Sequence, residues 1–158
     1  MDVTISELLS PDCIDLDLKS KKKREIIKEM VAILVKADKI QGAKSITEKV
    51  MAREKEIYTG IGKGVAIPHR LIRGLQTSII CFGRKTIAID FDSHDKKPVD
   101  IFFLILGPEG RINTHLRLLC KLARCIQNNE FLKALRAAQT PQQVIDTFVQ
   151  EETRQQYS

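Results

Sequence analysis

The spacing of apolar positions changes several times along the chain, and each change marks an element. Residues 6–9 fit a short helix that Pro11 ends. Ile14, Leu16 and Leu18 then alternate over residues 13–18, which predicts a short strand with all three on one face. From residue 20 to 36 the period lengthens, and Ile26, Met30, Val31 and Leu34, with Ile27 beside them, fall on one helical face. A second helix is expected over residues 43–55 with Ile46 and Val50 inward and Met51 next to them. A glycine-rich loop follows. Two strands come next: an apolar one at 77–82, bounded by Gly74 and Gly83, and an alternating one at 86–92. In the latter, Ile87, Ile89 and Phe91 are expected inward and Asp90 and Asp92 outward. Residues 99–106 are nearly all apolar, as a central strand covered on both faces would be, and Gly107-Pro-Glu-Gly110 breaks the run.

The last third reads as helical. Asn113 is placed to cap a helix reaching Gln127, with Leu116, Leu119, Leu122 or Ala123, and Ile126 on its buried side. Asn129 is the expected cap of a short helix ending near Ala138. Thr140-Pro-Gln-Gln143 has the form of a capping box with proline at the first helical position, and Val144, Ile145 and Phe148 supply an apolar stripe behind it. After Glu151 the sequence is polar and is expected to fray, so the domain is drawn as residues 1–152 with a polar tail at 153–158. Strands first bracketed and then followed by helices point to a single α/β domain around a mixed sheet.

Composition narrows the class. The chain has 158 residues, 43% hydrophobic and 29% charged, which suits one soluble globular domain. No apolar run approaches the roughly 20 residues of a membrane helix, and the N-terminus lacks the basic-then-apolar pattern of a signal peptide. The expected location is therefore the cytoplasm, without membrane insertion. Cys13, Cys81, Cys120 and Cys125 form no Cys-x-x-Cys pair, so they read as buried free thiols and no metal is expected. The net charge of +6 would suit nucleic acid or an acidic partner. However, the one basic run, Lys19-Ser-Lys-Lys-Lys-Arg24, opens a helix and reads as a solvated end. Trp is absent and Tyr occurs twice, which leaves little to stack on bases, so nucleic acid is not expected as a partner.

The candidate chemistry lies in Gly60-Ile-Gly-Lys-Gly-Val-Ala-Ile-Pro-His69. Gly60, Gly62 and Gly64 permit positive φ and close approach of another chain or an anion. Pro68 fixes its own φ and restricts Ile67, which stiffens the backbone entering His69. A neutral imidazole presented this way is an abundant nucleophile near pH 7. The alternative is a plain turn. No Gly-Lys-[Ser/Thr] closes a phosphate-binding loop, and a helix rather than a strand precedes the glycines, so neither an NTPase nor a dinucleotide fingerprint is present. His115 is either a partly buried histidine at a helix start or a second imidazole that serves phosphate or orients His69. His94, in a polar loop, reads as solvated. A phosphorylated imidazole would need donors: Arg53 offers a bidentate fork, and the helix start near Thr114 offers backbone N–H groups.

The stretch Arg53-Glu-Lys-Glu-Ile-Tyr-Thr59 leading into the glycine run and His69 closely resembles the signature of the fructose/mannitol-type enzyme IIA domains of the sugar phosphotransferase system, which include the nitrogen-regulatory IIA proteins. The resemblance extends over Ile14-x-Leu-x-Leu18, the Pro98-Val-Asp-Ile-Phe-Phe-Leu104 region, Thr114-His-Leu116 and Leu135-Arg-Ala-Ala138. It implies a three-layer α/β/α domain. It also implies that His69 accepts phosphate from the phosphocarrier HPr or its nitrogen-branch counterpart, with His115 as the second active-site histidine and Arg53 as the phosphate-facing cation. The phosphate then passes to a IIB component, or its presence tunes binding to regulatory target proteins. No cofactor is implied. Position 70, small or weakly polar in that family, is Arg70 here, which adds an anion contact or alters docking. The chain ends soon after the IIA unit, so the expectation is a free-standing, regulatory protein.

Overall fold

The computed structural model describes residues 3–157. Along the chain run α1 (Ile5–Leu8), a 3-10 turn (Pro11–Cys13), β1 (Ile14–Asp15), α2 (Lys23–Lys36) and α3 (Ala43–Glu56). Three short strands follow: β2 (Gly60–Gly62), β3 (Val65–Ala66) and β4 (His69–Ile72). Then come β5 (Ile79–Ile89), β6 (Val99–Pro108), α4 (Ile112–Ile126), α5 (Asn129–Ala137) and α6 (Pro141–Gln156). One mixed six-stranded sheet has the order β1-β5-β6-β3-β2, with β4 also paired to β6. β5 is antiparallel to β6, whereas β3 and β4 are parallel to it.

The uniform apolarity of β6 has its cause in burial on both faces. Ile101, Phe103 and Ile105 enter a core completed by Ile5 of α1, Leu118 and Leu122 of α4, Phe131 of α5 and Phe148 of α6. Phe102, Leu104 and Leu106 point the other way, into a core with Ile26 and Met30 of α2 and Val50 of α3. The result is the three-layer α/β/α domain that the sequence implies. Each fully buried Phe or Leu contributes roughly 1.5–3 kcal/mol relative to exposure, so β6 anchors both layers.

Several local expectations need correction. Residues 60–72 form three strands rather than a loop. β1 is two residues long, because the Asp15 carboxylate accepts from the Asp17 N–H at 2.8 Å and turns the chain; Ile14 and Leu18 consequently serve opposite cores. The two strands expected at 77–82 and 86–92 are one strand, β5, with a register irregularity between Arg84 and Ile89. Gly83 misled as a boundary: it lies within β5, where a Cβ would meet Leu18 Cδ1 at 2.4 Å. Past the irregularity, Ile87 is 76% exposed rather than inward.

The helix caps shift as well. Arg111, not Asn113, is the N-cap of α4, and α5 is capped by Asn128, whose side chain accepts from the Glu130 N–H. Thr140 accepts from the Gln143 N–H as expected, but the Gln143 side chain reaches the Gln139 N–H instead of closing the box on Thr140. α6 continues to Gln156, past the point where fraying was expected; Arg154 and Gln155 both bond to the Glu151 carboxylate.

Candidate active site

Side chains alternate along a strand, so β4 sends His69 toward the α4 layer and Arg70 toward α3. The Arg70 guanidinium donates to the Lys49 carbonyl of α3 at 3.3 Å. The His69 ring lies 5.6 Å from the His115 ring, centroid to centroid, with 50° between their planes. A cleft of about 460 Å³ straddles β4 here. Arg53 and Glu56 of α3 line one side, with Glu109 after β6. His115, Ile112, Leu116 and Leu119 of α4 line the other.

The backbone around His69 is pinned on both sides. The Ile67 N–H donates to the Thr59 carbonyl at 2.9 Å, and the Pro68 carbonyl accepts from the Ile105 N–H at 3.0 Å. The Ile67 carbonyl then meets Nδ1 of His69 at 2.8 Å. A carbonyl can only accept, so Nδ1 carries the proton and Nε2 keeps the lone pair. Burial depresses the His69 pKa and Arg53 lowers it further, against the Ile67 carbonyl and Glu54. The nucleophilic neutral form therefore predominates near pH 7.

His115 is 4% exposed, and neither of its ring nitrogens has a hydrogen-bond partner among the described residues. Burial first, and then His69 and Arg53, push its pKa down to about 4. Its place depends on Gly107: a Cβ there would sit 2.5 Å from His115 Nδ1 and 3.3 Å from Leu71 Cδ2. A buried polar group left unpaired costs about 1–3 kcal/mol, so this imidazole is poised to donate to an acceptor that enters the cleft. Arg53 makes a 3.2 Å ion pair with Glu56 on the cleft wall. A dianionic phosphoryl group is a stronger bidentate acceptor than this exposed carboxylate.

The structure thus brings His69, His115, Arg53 and Arg70 together. Thr114 is not among the residues lining the cleft, and neither are Gly60, Gly62 and Gly64. The glycines shape the β2–β3 hairpin instead. A Cβ on Gly60 would meet the Ser93 backbone at 2.7 Å, and one on Gly64 would meet Arg136 and Asp100. Of the positions expected inward on α4, Leu122 and Ile126 are buried and Leu119 packs partly against the core, but Leu116 is 53% exposed and rims the cleft with Ile112; His115, Leu118 and Cys125 complete the buried face. Gly107 reads in the sequence as a strand breaker, but it lies within β6 and makes room for His115, and no side-chain signal marks the Ile67 carbonyl. His94 is exposed; its ring Nε2 lies 3.2 Å from the Tyr58 carbonyl, and its backbone N–H donates to the Gly60 carbonyl at 2.9 Å. Among the described residues, no cluster of His, Cys, Asp or Glu is assembled to hold a metal ion.

Residues 7–151 match the family model described as phosphoenolpyruvate-dependent sugar phosphotransferase system, EIIA 2. The chain belongs to this EIIA family. Over 142 residues it is 37% identical to a fructose-specific EIIABC component of Bacillus subtilis, covering 90% of this chain but only 22% of that protein. Over the same length it is 36% identical to a nitrogen regulatory protein of Bradyrhizobium diazoefficiens, covering 89% of this chain and 91% of that one. The crystal structure of nitrogen regulatory protein IIA-Ntr from Neisseria meningitidis superposes with a TM-score of 0.86 at 30% identity, over 91% of this chain and 98% of that one. The EIIA family carries out phosphoryl transfer. No helix of this EIIA domain, among the described residues, is long and apolar enough to cross a membrane.

Proposed function

We propose that Nε2 of His69 is the atom that accepts the phosphoryl group. The observation that carries this reading is the Nδ1–H bond to the Ile67 carbonyl, which leaves Nε2 as the ring's lone-pair nitrogen at the cleft shared with His115 and Arg53. In the transfer, the Nε2 lone pair forms a bond to phosphorus in line with the donor. The donor–phosphorus bond breaks, and its electron pair stays with the donor. Arg53 exchanges its Glu56 contact for phosphoryl oxygens, and His115 donates an N–H to another. Arg70, half-buried on the same cleft, adds a second cation. A preformed donor set of this kind stabilises charge where it develops in the transition state.

The donor in this reading is an HPr-type phosphocarrier, acting in the cytoplasm, and the phosphorylation state of His69 gates contacts with regulatory target proteins. The likeness to nitrogen regulatory proteins across nearly their full length supports that output. The second reading, handover to a separate IIB in sugar uptake, is supported by the fructose-specific EIIABC relative. Mass spectrometry after incubation with the phosphoenolpyruvate-driven donors, under conditions that keep acid-labile phosphohistidine, tests the acceptor. One added phosphoryl group is expected on the wild type and none on His69→Ala; equal labelling of the variant overturns the assignment. A pull-down with phosphorylated and unphosphorylated protein separates the outputs, since regulation requires a partner set that changes with phosphate.

A further inference from the structure

A buried ionic group lies off the cleft lining and is not used by the acceptor reading. Glu54, 1% exposed, follows Arg53 on α3. Its carboxylate accepts from the Thr59 N–H at 3.0 Å and the Thr59 hydroxyl at 2.6 Å. Lys23 of α2 reaches the same carboxylate at 2.9 Å. The Lys23 ammonium also lies 4.6 Å from the Tyr58 ring centre, 5.1 Å from that of Phe91, and 3.4 Å from the Asp92 carboxylate. This corrects the reading of Lys19–Arg24 as a wholly solvated run, because Lys23 is largely buried with only 15% of its side chain exposed.

Ions this buried need several partners to offset lost hydration. Replacement by apolar residues is often neutral or stabilising in such cases, so net stability alone is a weak explanation for the group. Its position suggests another role. Thr59, clamped at both its N–H and its hydroxyl, presents its own carbonyl to the Ile67 N–H at 2.9 Å. Ile67 in turn presents its carbonyl to Nδ1 of His69 at 2.8 Å. The path runs Lys23 to Glu54 to Thr59 to Ile67 to His69, through consecutive contacts of 2.6–3.0 Å.

We infer that Lys23, Glu54 and Thr59 are positioning residues. They hold the Ile67 carbonyl where it fixes the Nδ1–H tautomer of His69, and so keep the lone pair on Nε2. An imidazole with the opposite tautomer carries N–H where the lone pair must be, and cannot attack from Nε2. The inference rests on the reading of His69 as phosphoryl acceptor. It extends the functional unit from the cleft to a residue of α2 that never meets the phosphate. The Thr59 carbonyl would still be present after loss of the clamp, but no longer held by the buried carboxylate.

The test reads the tautomer directly. Two-bond ¹H–¹⁵N correlations of the His69 ring distinguish Nδ1–H from Nε2–H in wild type, Thr59→Val, Thr59→Ser and Glu54→Gln. Phosphorylation rates are measured beside them, and amide spectra report the fold. In Thr59→Val and Glu54→Gln the ring is expected to move toward a mixed tautomer, with transfer slowed about five- to tenfold, the effect of losing roughly one hydrogen bond of constraint. Thr59→Ser, which keeps the hydroxyl, is expected to retain both properties. A folded Thr59→Val with an unchanged His69 tautomer overturns the inference, even if its transfer rate falls. If Glu54→Gln does not fold, the Thr59→Val and Thr59→Ser pair decides. A wild type that takes no phosphate refutes the acceptor reading, while its ring signals still judge the positioning.

Discussion

Gly107→Ala adds one methyl group at the point where the sheet meets the second histidine. The new Cβ would lie 2.5 Å from Nδ1 and 3.2 Å from Cγ of His115, on the sheet side of a ring that is 4% exposed. Optimal contacts between heavy atoms lie at about 3.5–4.0 Å, so the ring or the first turn of α4 must move by roughly 1 Å. The added Cβ would also press on Leu71 Cδ2 at 3.3 Å, so it has no free space on that side. Overpacking of this kind costs about 1–3 kcal/mol, which for a domain of this size lowers Tm by roughly 2–12 °C. The catalytic effect is larger, because a 1 Å misplacement of a reacting group can cost about 100-fold in rate. The assay pairs a calorimetric scan with the initial rate of phosphoryl transfer to His69, measured well below the melting transition. A folded Gly107→Ala that transfers within about twofold of wild type would show that His115 has no fixed position to defend, and the argument would fail.

Four further outcomes follow from the same geometry. Arg53→Ala is expected to keep the fold and to slow transfer by the equivalent of about 1.5–3 kcal/mol, the worth of a hydrogen bond to a charged group; unchanged kinetics would remove Arg53 from the site. His115, whose pKa is held near 4 against an ordinary 6.5, binds its proton more readily in the unfolded chain. Its neutral burial therefore supports the fold fully above about pH 6.5, and that support is lost as pH falls from there through 4, on the order of 3 kcal/mol in all; a His115→Asn variant should lose less stability than wild type across that window in denaturant titrations. Gly60→Ala, whose Cβ would press on the Ser93 backbone at 2.7 Å, should destabilise the fold by about 1–3 kcal/mol in chemical unfolding, and an unchanged midpoint would refute the close packing. In the native protein a thiol reagent should modify exposed Cys120 first, since Cys13, Cys81 and Cys125 are buried and burial raises the pKa of each, to about 12 at Cys125; peptide mapping that finds Cys125 modified before Cys120 would contradict this.

What the sequence made legible depended on whether a signal was local. The apolar run of β6, the helical stripes of α2 and α3 and the proline start of α6 are set by neighbours a few residues away, and all three appear where the pattern places them. Gly83 was misjudged because its reason is Leu18, distant along the chain, and glycine looks the same whether it ends a strand or makes room in one. The first turn of α4 departs from the expected face for a related reason. A stripe of leucines is the expected core face, but the cleft keeps Leu116 at its rim and turns His115 inward against Gly107. His69 and Arg53 were legible through a motif. The carbonyl that sets the His69 tautomer was not, since any residue supplies a carbonyl and only the backbone path places it. Glu54 sits inside the same motif, yet only its 1% exposure separates it from an ordinary solvated glutamate.

β3 and β4 lie along β6 in one unbroken register: Val65 opposite Ile101, Ala66 opposite Phe102, and His69 opposite Ile105. The Ile67-Pro68 step between them therefore acts as punctuation within a single line and leaves the count of residues intact. That makes the orientation of the nucleophile a matter of parity. One residue inserted or removed between Ala66 and His69, with the rest of the ladder kept, would turn the imidazole toward α3, where Arg70 now points, and put its neighbour opposite His115. Length is thus as strict a requirement here as identity, and a chimera that exchanges this segment between relatives must preserve the count before it preserves the residues. Around Gly74, in the turn after β4, an added side-chain atom would meet nothing within 4 Å, and a change of length there leaves the count from Ala66 to His69 untouched.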